Sequence, residues 1–349
     1  MRIGVGWIAA LAMAVAAPAM ADPVREVAEV AGFSGLIGVQ ADGQLQTVRA
    51  FRPAEQPGPG PADVVRWASV TKMVTAILVL QEVDAGRLAL DAPLSRYLPD
   101  WPVNGETSLA QLLRHRSGLA NPDDLPDGDG DGMPDVYQDG AVDWRTVCAA
   151  APKAAADAAF SYNNCDYLVL AGLLEAITGQ AYGELVRTRI SEPLGLASLR
   201  LPAGPRQEGR DGEAPEPRVD PAAYGPAGGL YGTVADMLKL DQALMDGRLV
   251  SPASRAAMFA ADPASNFSGL SVWVYPVALP RCAGETVTLV ERRGAISGVQ
   301  VRNLMLVERN TALVAWTDQA RTDFGEPWSG AGLTVDLLSA LVCGAAPAA

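Results

Sequence analysis

The chain has 349 residues, 49% of them hydrophobic, and a formal net charge of -13. That length is enough for one large domain, or two lobes, with a sizeable core. So strong an acidic excess disfavours nucleic acid and anionic membrane surfaces, both of which need clustered positive charge.

Residues 1–21 read as a secretory signal. Arg2 gives the basic start, IAALAMAVAAPAM the apolar stretch, and Ala19-Met20-Ala21 an A-x-A cleavage site before Asp22. The alternative is a membrane anchor, for which the stretch is short. No later segment is apolar for long enough to cross a bilayer. The expectation is a periplasmic or secreted monomer. In an oxidising compartment, the even set Cys148, Cys165, Cys282 and Cys343 reads as two disulfides. Of the three pairings, Cys148–Cys165 and Cys282–Cys343 each join regions expected in one lobe. Buried free thiols are the alternative. Cysteines so spaced, with one histidine in the chain, do not suggest zinc.

GLIGVQADGQLQTVRAF (35–51) reads as two strands around an Asp42-Gly43 turn. A Pro/Gly loop follows. A long apolar helix then begins near Ser69 and ends near Gly86, and another is expected over 165–179. PAGPRQEGRDGEAPEPRVDPA (202–222) reads as a long surface loop. Segments 270–277, 285–292, 299–308 and 311–318 are rich in β-branched and aromatic residues and predict strands. GLTVDLLSALV predicts a closing helix. Strands at both ends imply an α/β fold of the α+β type. A mixed, mainly antiparallel sheet is built from about 33–66 and 265–345 and flanked by helices. A helical lobe, about 67–264, is inserted in it.

WASVTK (67–72) carries the first chemical signal. The chain has three lysines, Lys72, Lys153 and Lys239, against 24 arginines. Lys72 heads an apolar helix, where a cation is costly. Lysine, unlike arginine, can lose its proton when desolvated and act as a base. Ser69 lies one helical turn back on the same face. At a helix N-terminus its developing negative charge is favoured by the dipole. The alternative for Lys72 is a side chain snorkelling to water. A second constellation, Tyr162 and Asn164 in FSYNN, places a phenol and an amide just before a helix. A phenol near a cation can relay a proton to a leaving group. The only histidine, His115, sits in a helix-end turn and reads as structural.

WASVTK, LLRHRSGL, FSYNN, GPAGGLYGTVADM and RRGAISG, in this order, resemble the serine β-lactamase and penicillin-binding-protein superfamily. The nearest branch is that of class C β-lactamases and their carboxypeptidase, D-aminopeptidase and esterase relatives. The likeness runs from about residue 33 to 345. It implies the β-lactamase/transpeptidase-like fold. It makes Ser69 the nucleophile, Lys72 its base partner and Tyr162 the proton relay. Asn164 would bind the substrate amide and steady Lys72. No cofactor is expected for catalysis.

Two departures stand out. Where the family has Lys-Thr-Gly or His-x-Gly, this chain has Arg292, Arg293 and Gly294. Arg292 keeps a positive charge and could fork onto a substrate carboxylate, but it exchanges no proton near neutral pH. A solvated strand end is the alternative. Ala295 would add its N–H to that of Ser69 in an oxyanion hole. The second departure is an insertion, about 120–140, in which Asp127, Asp129, Asp131, Gly132 and Asp135 read D-x-D-x-D-G-x-x-D. Alternate carboxylates around a tight turn suit a structural Ca²⁺, to which the Met133 carbonyl could add. The pattern resembles EF-hand loops, but Gln138 stands where the bidentate glutamate would be, with Asp139 next. A solvated acidic loop is the alternative.

The expected activity is that of a serine hydrolase forming an acyl-enzyme on a β-lactam, a D-amino-acid peptide or a carboxylic ester. Arg292 leans toward a small or peptide substrate bearing a carboxylate. The competing class is a cell-wall-binding or sensor protein that is acylated once or never. A calcium-dependent adhesion module is a third reading and leaves the other motifs unexplained.

Overall fold

The computed structural model describes residues 22–52, 57–138, 143–157, 159–201 and 209–344. The expected signal segment, Asp139 and the first part of the 202–222 loop lie outside these residues.

Period-2 alternation builds the sheet. β1 (Gly35–Ala41) and β2 (Gln44–Phe51) form a hairpin whose turn residues, Asp42 and Gly43, have φ of 51° and 73°. Two successive left-handed residues give the turn that matches strand twist, which Asp-Gly favours. β3 (Trp273–Leu279), β4 (Glu285–Ile296), β5 (Val299–Leu306) and β6 (Thr311–Thr317) complete it. The order is β2-β1-β6-β5-β4-β3, and every ladder is antiparallel. Both ends of the chain therefore share one sheet.

The two faces bury different helices. Leu36, Val314 and Trp316 enter one apolar cluster, and Ile37, Leu313 and Ala315 enter the other. The second cluster holds α1 (Asp22–Val30) and α5 (Leu333–Cys343). The first holds α2 (Thr71–Asp84), α3 (Asn164–Thr178) and α4 (Val234–Met245). Every residue from Thr71 to Leu80 is buried, which explains why α2 is apolar all round. Among the described residues, no helix is long and apolar enough to cross a membrane.

α1 was not expected from the sequence. β3 starts three residues later than the pattern suggested, because Ser271 has φ of 76° and breaks the extended backbone. β4 runs on to Ile296, carrying the arginine pair into the sheet. The disulfides are Cys148–Cys165 and Cys282–Cys343, with Cα separations of 5.4 and 5.5 Å. The second closes a loop of 61 residues between the turn after β3 and the end of α5. A bridge of that span stabilises by about 4 kcal/mol in the chain-entropy account.

Candidate active site

Ser69 lies in a single 3-10 turn, Ala68–Val70, that leads into α2. Trp67, fully buried, anchors the turn through its N–H to Leu230 O at 2.9 Å. Ala68, just before the serine, has φ of 48°, a left-handed conformation that is strained for alanine. β4 presses against this turn at Gly294. A Cβ there would stand 2.7 Å from Trp67 O and 3.3 Å from Ser69 N. Glycine is thus what lets the strand reach the serine. Ser69 and Ala295 line one open cavity of about 400 Å³.

Lys72 is fully buried. Its Nζ is 3.1 Å from Ser69 Oγ, 2.6 Å from Asn164 Oδ1 and 2.7 Å from Ala227 O. The last two can only accept. A neutral amine spends its two N–H groups on them and turns its lone pair toward the serine. Burial lowers the proton affinity of the amine. Tyr162 opposes that fall and Arg292 adds to it.

Tyr162 donates its hydroxyl to Ser69 Oγ at 2.6 Å, and its ring centre is 4.7 Å from Lys72 Nζ. Burial raises the proton affinity of the phenol, but the charges of Lys72 and Arg292 and the bonds from Lys72 and Ser69 leave it below its ordinary value. Amine and phenol flank one hydroxyl.

Arg292 has a different place from the one its charge suggested. It is 1% exposed. Its Nε donates to Ser69 O at 2.8 Å, Nη1 to Ser271 O at 2.9 Å and Nη2 to the Tyr162 hydroxyl at 3.1 Å. No fork is offered to a substrate carboxylate, because the guanidinium is buried and is not among the residues that line the cavity. Arg292 instead pins the Ser69 backbone and biases the phenol. Arg293 faces the cavity, paired with Glu291 and Glu326 at 2.9 Å each.

Asn164 opens α3, which Asn163 caps by accepting from Cys165 N. Its Oδ1 holds Lys72, while Nδ2 donates to Asp123 Oδ1 and to the Tyr137 hydroxyl, each at 2.9 Å. Both ends of the amide therefore serve the amine. Asp123 and Tyr137 come from the insertion and were missed by sequence reasoning. Tyr137 donates to Asp123 at 2.7 Å and stacks on Tyr224 with ring centres 3.9 Å apart. Asp123 is exposed and lines the cavity.

His115 is 1% exposed, and its ring lies 4.5 Å from that of Tyr162. Its Nδ1 accepts from Asn163 N at 3.2 Å and faces Asp166 Oδ2 at 3.1 Å. Burial first, then Arg292 and Lys72, hold the imidazole well below its ordinary value, so it is neutral. Burial holds the Asp166 carboxyl well above its own. The histidine supports the phenol from beneath and does not touch Ser69.

In the acidic loop, Asp127, Asp129 and Asp135 bring carboxylate oxygens within 4.8 Å of one another. Asp131 stands outside that set and accepts from Met133 N at 2.8 Å. The Met133 carbonyl takes Gln138 Nε2 at 3.2 Å, while its sulfur accepts from the Tyr224 hydroxyl at 3.4 Å. The loop thus reaches the cavity wall. The described part of the 202–222 loop packs behind the β4–β5 turn. Glu216 pairs with buried Arg66 at 3.0 Å and accepts from Gly298 N, at the β4–β5 turn, at 3.0 Å.

The chain is 30% identical over 270 residues to putative penicillin-binding protein PbpX of Bacillus subtilis, covering 70% of this chain and 63% of that one. It is 32% identical over 219 residues to penicillin-binding protein 4 of Amycolatopsis lactamdurans, 56% of each. The match thus spans only 56% and 63% of these relatives' lengths. A D-stereospecific amidohydrolase from Streptomyces sp. shares the fold with a TM-score of 0.74 at 23% identity, covering 94% of this chain and all of that one. D-amino acid amidase from Ochrobactrum anthropi SV3, complexed with L-phenylalanine, shares it with a TM-score of 0.74 at 21% identity, covering 91% and 97%. The profile of the Beta-lactamase family matches residues 22–319, and the chain belongs to that family.

Proposed function

We propose that the protein is an exported serine hydrolase that cleaves amides and esters through an acyl-enzyme on Ser69. The observation that carries this reading is the Ser69 hydroxyl held between Lys72 at 3.1 Å and Tyr162 at 2.6 Å, at the wall of an open cavity. Oγ bonds to the substrate carbonyl carbon as its proton passes to the Lys72–Tyr162 pair. The C–N or C–O bond then breaks, and the pair returns the proton to the leaving atom. Water adds to the acyl carbon, gives a proton to the same pair, and Ser69 leaves with it. The Ser69 and Ala295 N–H groups are assigned to the oxyanion.

The preferred substrate is an amide whose acyl part carries a free ammonium. Asp123 supplies a negative wall, and Arg292 is not presented to a carboxylate. D-amino-acid amides fit this description, as do the names of the Streptomyces and Ochrobactrum proteins. The acidic loop is assigned a structural Ca²⁺ on Asp127, Asp129 and Asp135, fixing the segment that carries Met133 and Tyr137. Its test is the melting temperature in calcium against chelator, and no shift retires it.

For the enzyme itself, intact mass is read after a fluorophosphonate and after a fluorescent penicillin. Release of ammonia from D- and L-alanine amide is then assayed. Labelling of Ser69 with faster release from the D-amide is expected. No adduct from either reagent on folded protein overturns the hydrolase. A stable penicillin adduct with no turnover of amide or ester favours an acyl-binding wall protein instead.

A further inference from the structure

A second cleft, of about 540 Å³, adjoins the active-site cavity and shares Trp273 and Arg293 with it. Its remaining walls are Asn266, Phe267, Tyr275, Pro276 and Trp328. Trp328 is 62% exposed and Phe267 47%, so two large rings face water around it. Exposed aromatic surface gathered in one place marks a binding site more often than chance. The segment beneath Phe267 is strained to hold it there. Asn266 and Phe267 have φ of 54° and 58°, and Ser271 has φ of 76°. Such conformations persist where the surrounding structure, and often function, requires them.

The cleft is built for a flat apolar group and not for an anion. Arg293 lies over the Trp328 ring at 5.1 Å, but Glu291 and Glu326 already balance its charge. The Tyr275 hydroxyl donates to buried Glu291, leaving the ring to the cleft. Tyr275 and Trp328 meet edge to face at 5.8 Å, as aromatic rings prefer.

The position relative to the reacting groups fixes which end of a substrate reaches it. Tyr162 returns the proton to the leaving group. Its hydroxyl takes a bond from Arg292, whose guanidinium lies 5.3 Å from the Trp273 ring. The path from Ser69 past Tyr162 to Trp273 therefore follows the leaving group. Asp123, Tyr224 and Ile296 wall the rest of the cavity, where the acyl part remains. We infer that this cleft is a leaving-group subsite for an aromatic ring. The substrate is then an aminoacyl amide whose amine portion carries an aryl side chain, such as a peptide with an aromatic second residue. The inference rests on the hydrolase reading given above.

Three substrates test it. D-alanine N-methylamide and D-alanine N-(2-phenylethyl)amide share an acyl group and differ by a ring on the leaving side. D-phenylalanine N-methylamide moves the ring to the acyl side. The expected result is a kcat/KM about tenfold higher for the phenylethylamide than for its methyl counterpart, the worth of one good aromatic contact. Trp328→Ala and Phe267→Ala, both at exposed positions, should each bring that ratio toward one. A ratio unchanged by both variants, or a ring preference on the acyl side alone, overturns the subsite. Calorimetric titration of Ser69→Ala protein with the phenylethylamide, with and without Trp328→Ala, reads the cleft without chemistry. Weaker binding in the double variant supports the subsite, and equal binding overturns it. If the wild type cleaves none of the amides, amide hydrolysis fails while this titration still decides the cleft.

Discussion

The active-site cluster and the acidic loop both crowd like charges together, and they treat them in opposite ways. Lys72 and Arg292 stand either side of Tyr162 with no more than 1% exposure. Asp127, Asp129 and Asp135 converge on an exposed turn. In the buried cluster, burial and the charge of Arg292 lower the proton affinity of the Lys72 amine; burial raises that of the Tyr162 phenol, but Lys72 and Arg292 bring it below its ordinary value. In the loop, Asp127 is lowered first by the Gly132 N–H and further by other bonds from its own turn. Water screens the rest. Charge crowding yields reactivity only where solvent is shut out.

The largest expected effect comes from removing the buried base. Lys72→Ala should lower the rate of fluorophosphonate labelling at Ser69 by about 10⁴-fold, as losses in a concerted nucleophile–base unit do. Lys72→Arg should not restore it, since arginine keeps its proton. Near-wild-type labelling of either variant would remove Lys72 from the chemistry. Tyr162→Phe should cost about 10²- to 10³-fold in kcat/KM, the range of a lost general acid–base. Equal losses on activated and unactivated leaving groups would argue against a role in protonating them.

Arg292→Gln sharpens the electrostatic half of the comparison. Arg292 lowers the proton affinity of both Lys72 and Tyr162, so its removal raises both. The acid limb of the kcat/KM profile should move to higher pH. An unmoved limb would leave Arg292 only its grip on Ser69 O.

Asp241 extends the comparison to a buried acid far from chemistry. It sits on α4 with no exposure, takes Asn303 Nδ2 at 2.9 Å on one oxygen, and has no partner on the other among the described residues. Burial raises its carboxyl to about 7, against an ordinary 3.8. The folded state therefore binds this proton more tightly than the unfolded chain does. The stability it lends is full below about pH 4 and is lost as pH rises through about 7. Asp241→Asn should flatten the fall in melting temperature across that window. The smallest effect is expected from Asp127→Asn in chelator, a change of no more than about 2 °C. A larger change would mean the loop is not merely solvated.

What could be read beforehand was local. Ser69 and Lys72 are one helical turn apart, and Tyr162 and Asn164 flank a helix start, so spacing alone brings them near each other. The hairpin at Asp42-Gly43 and the four later strands follow from turn chemistry and β-branched runs. What escaped depends on contacts distant in sequence. The direction of the Arg292 guanidinium is set by carbonyls at Ser69 and Ser271, 223 and 21 residues away. Asp123 and Tyr137 meet Asn164 across 41 and 27 residues. The aromatic cleft gathers Phe267, Trp273 and Trp328 from separate elements, and no short pattern announces it. α1 begins at Asp22, where no turn signal in the sequence marks its start.

The Cys148–Cys165 bridge ends one residue from Asn164, the amide that orients the Lys72 amine. The first turn of α3 is therefore held by a bond between two sulfurs as well as by packing. Opening this bridge would remove a covalent tie next to Asn164, whose amide would keep its bonds to Lys72, Asp123 and Tyr137.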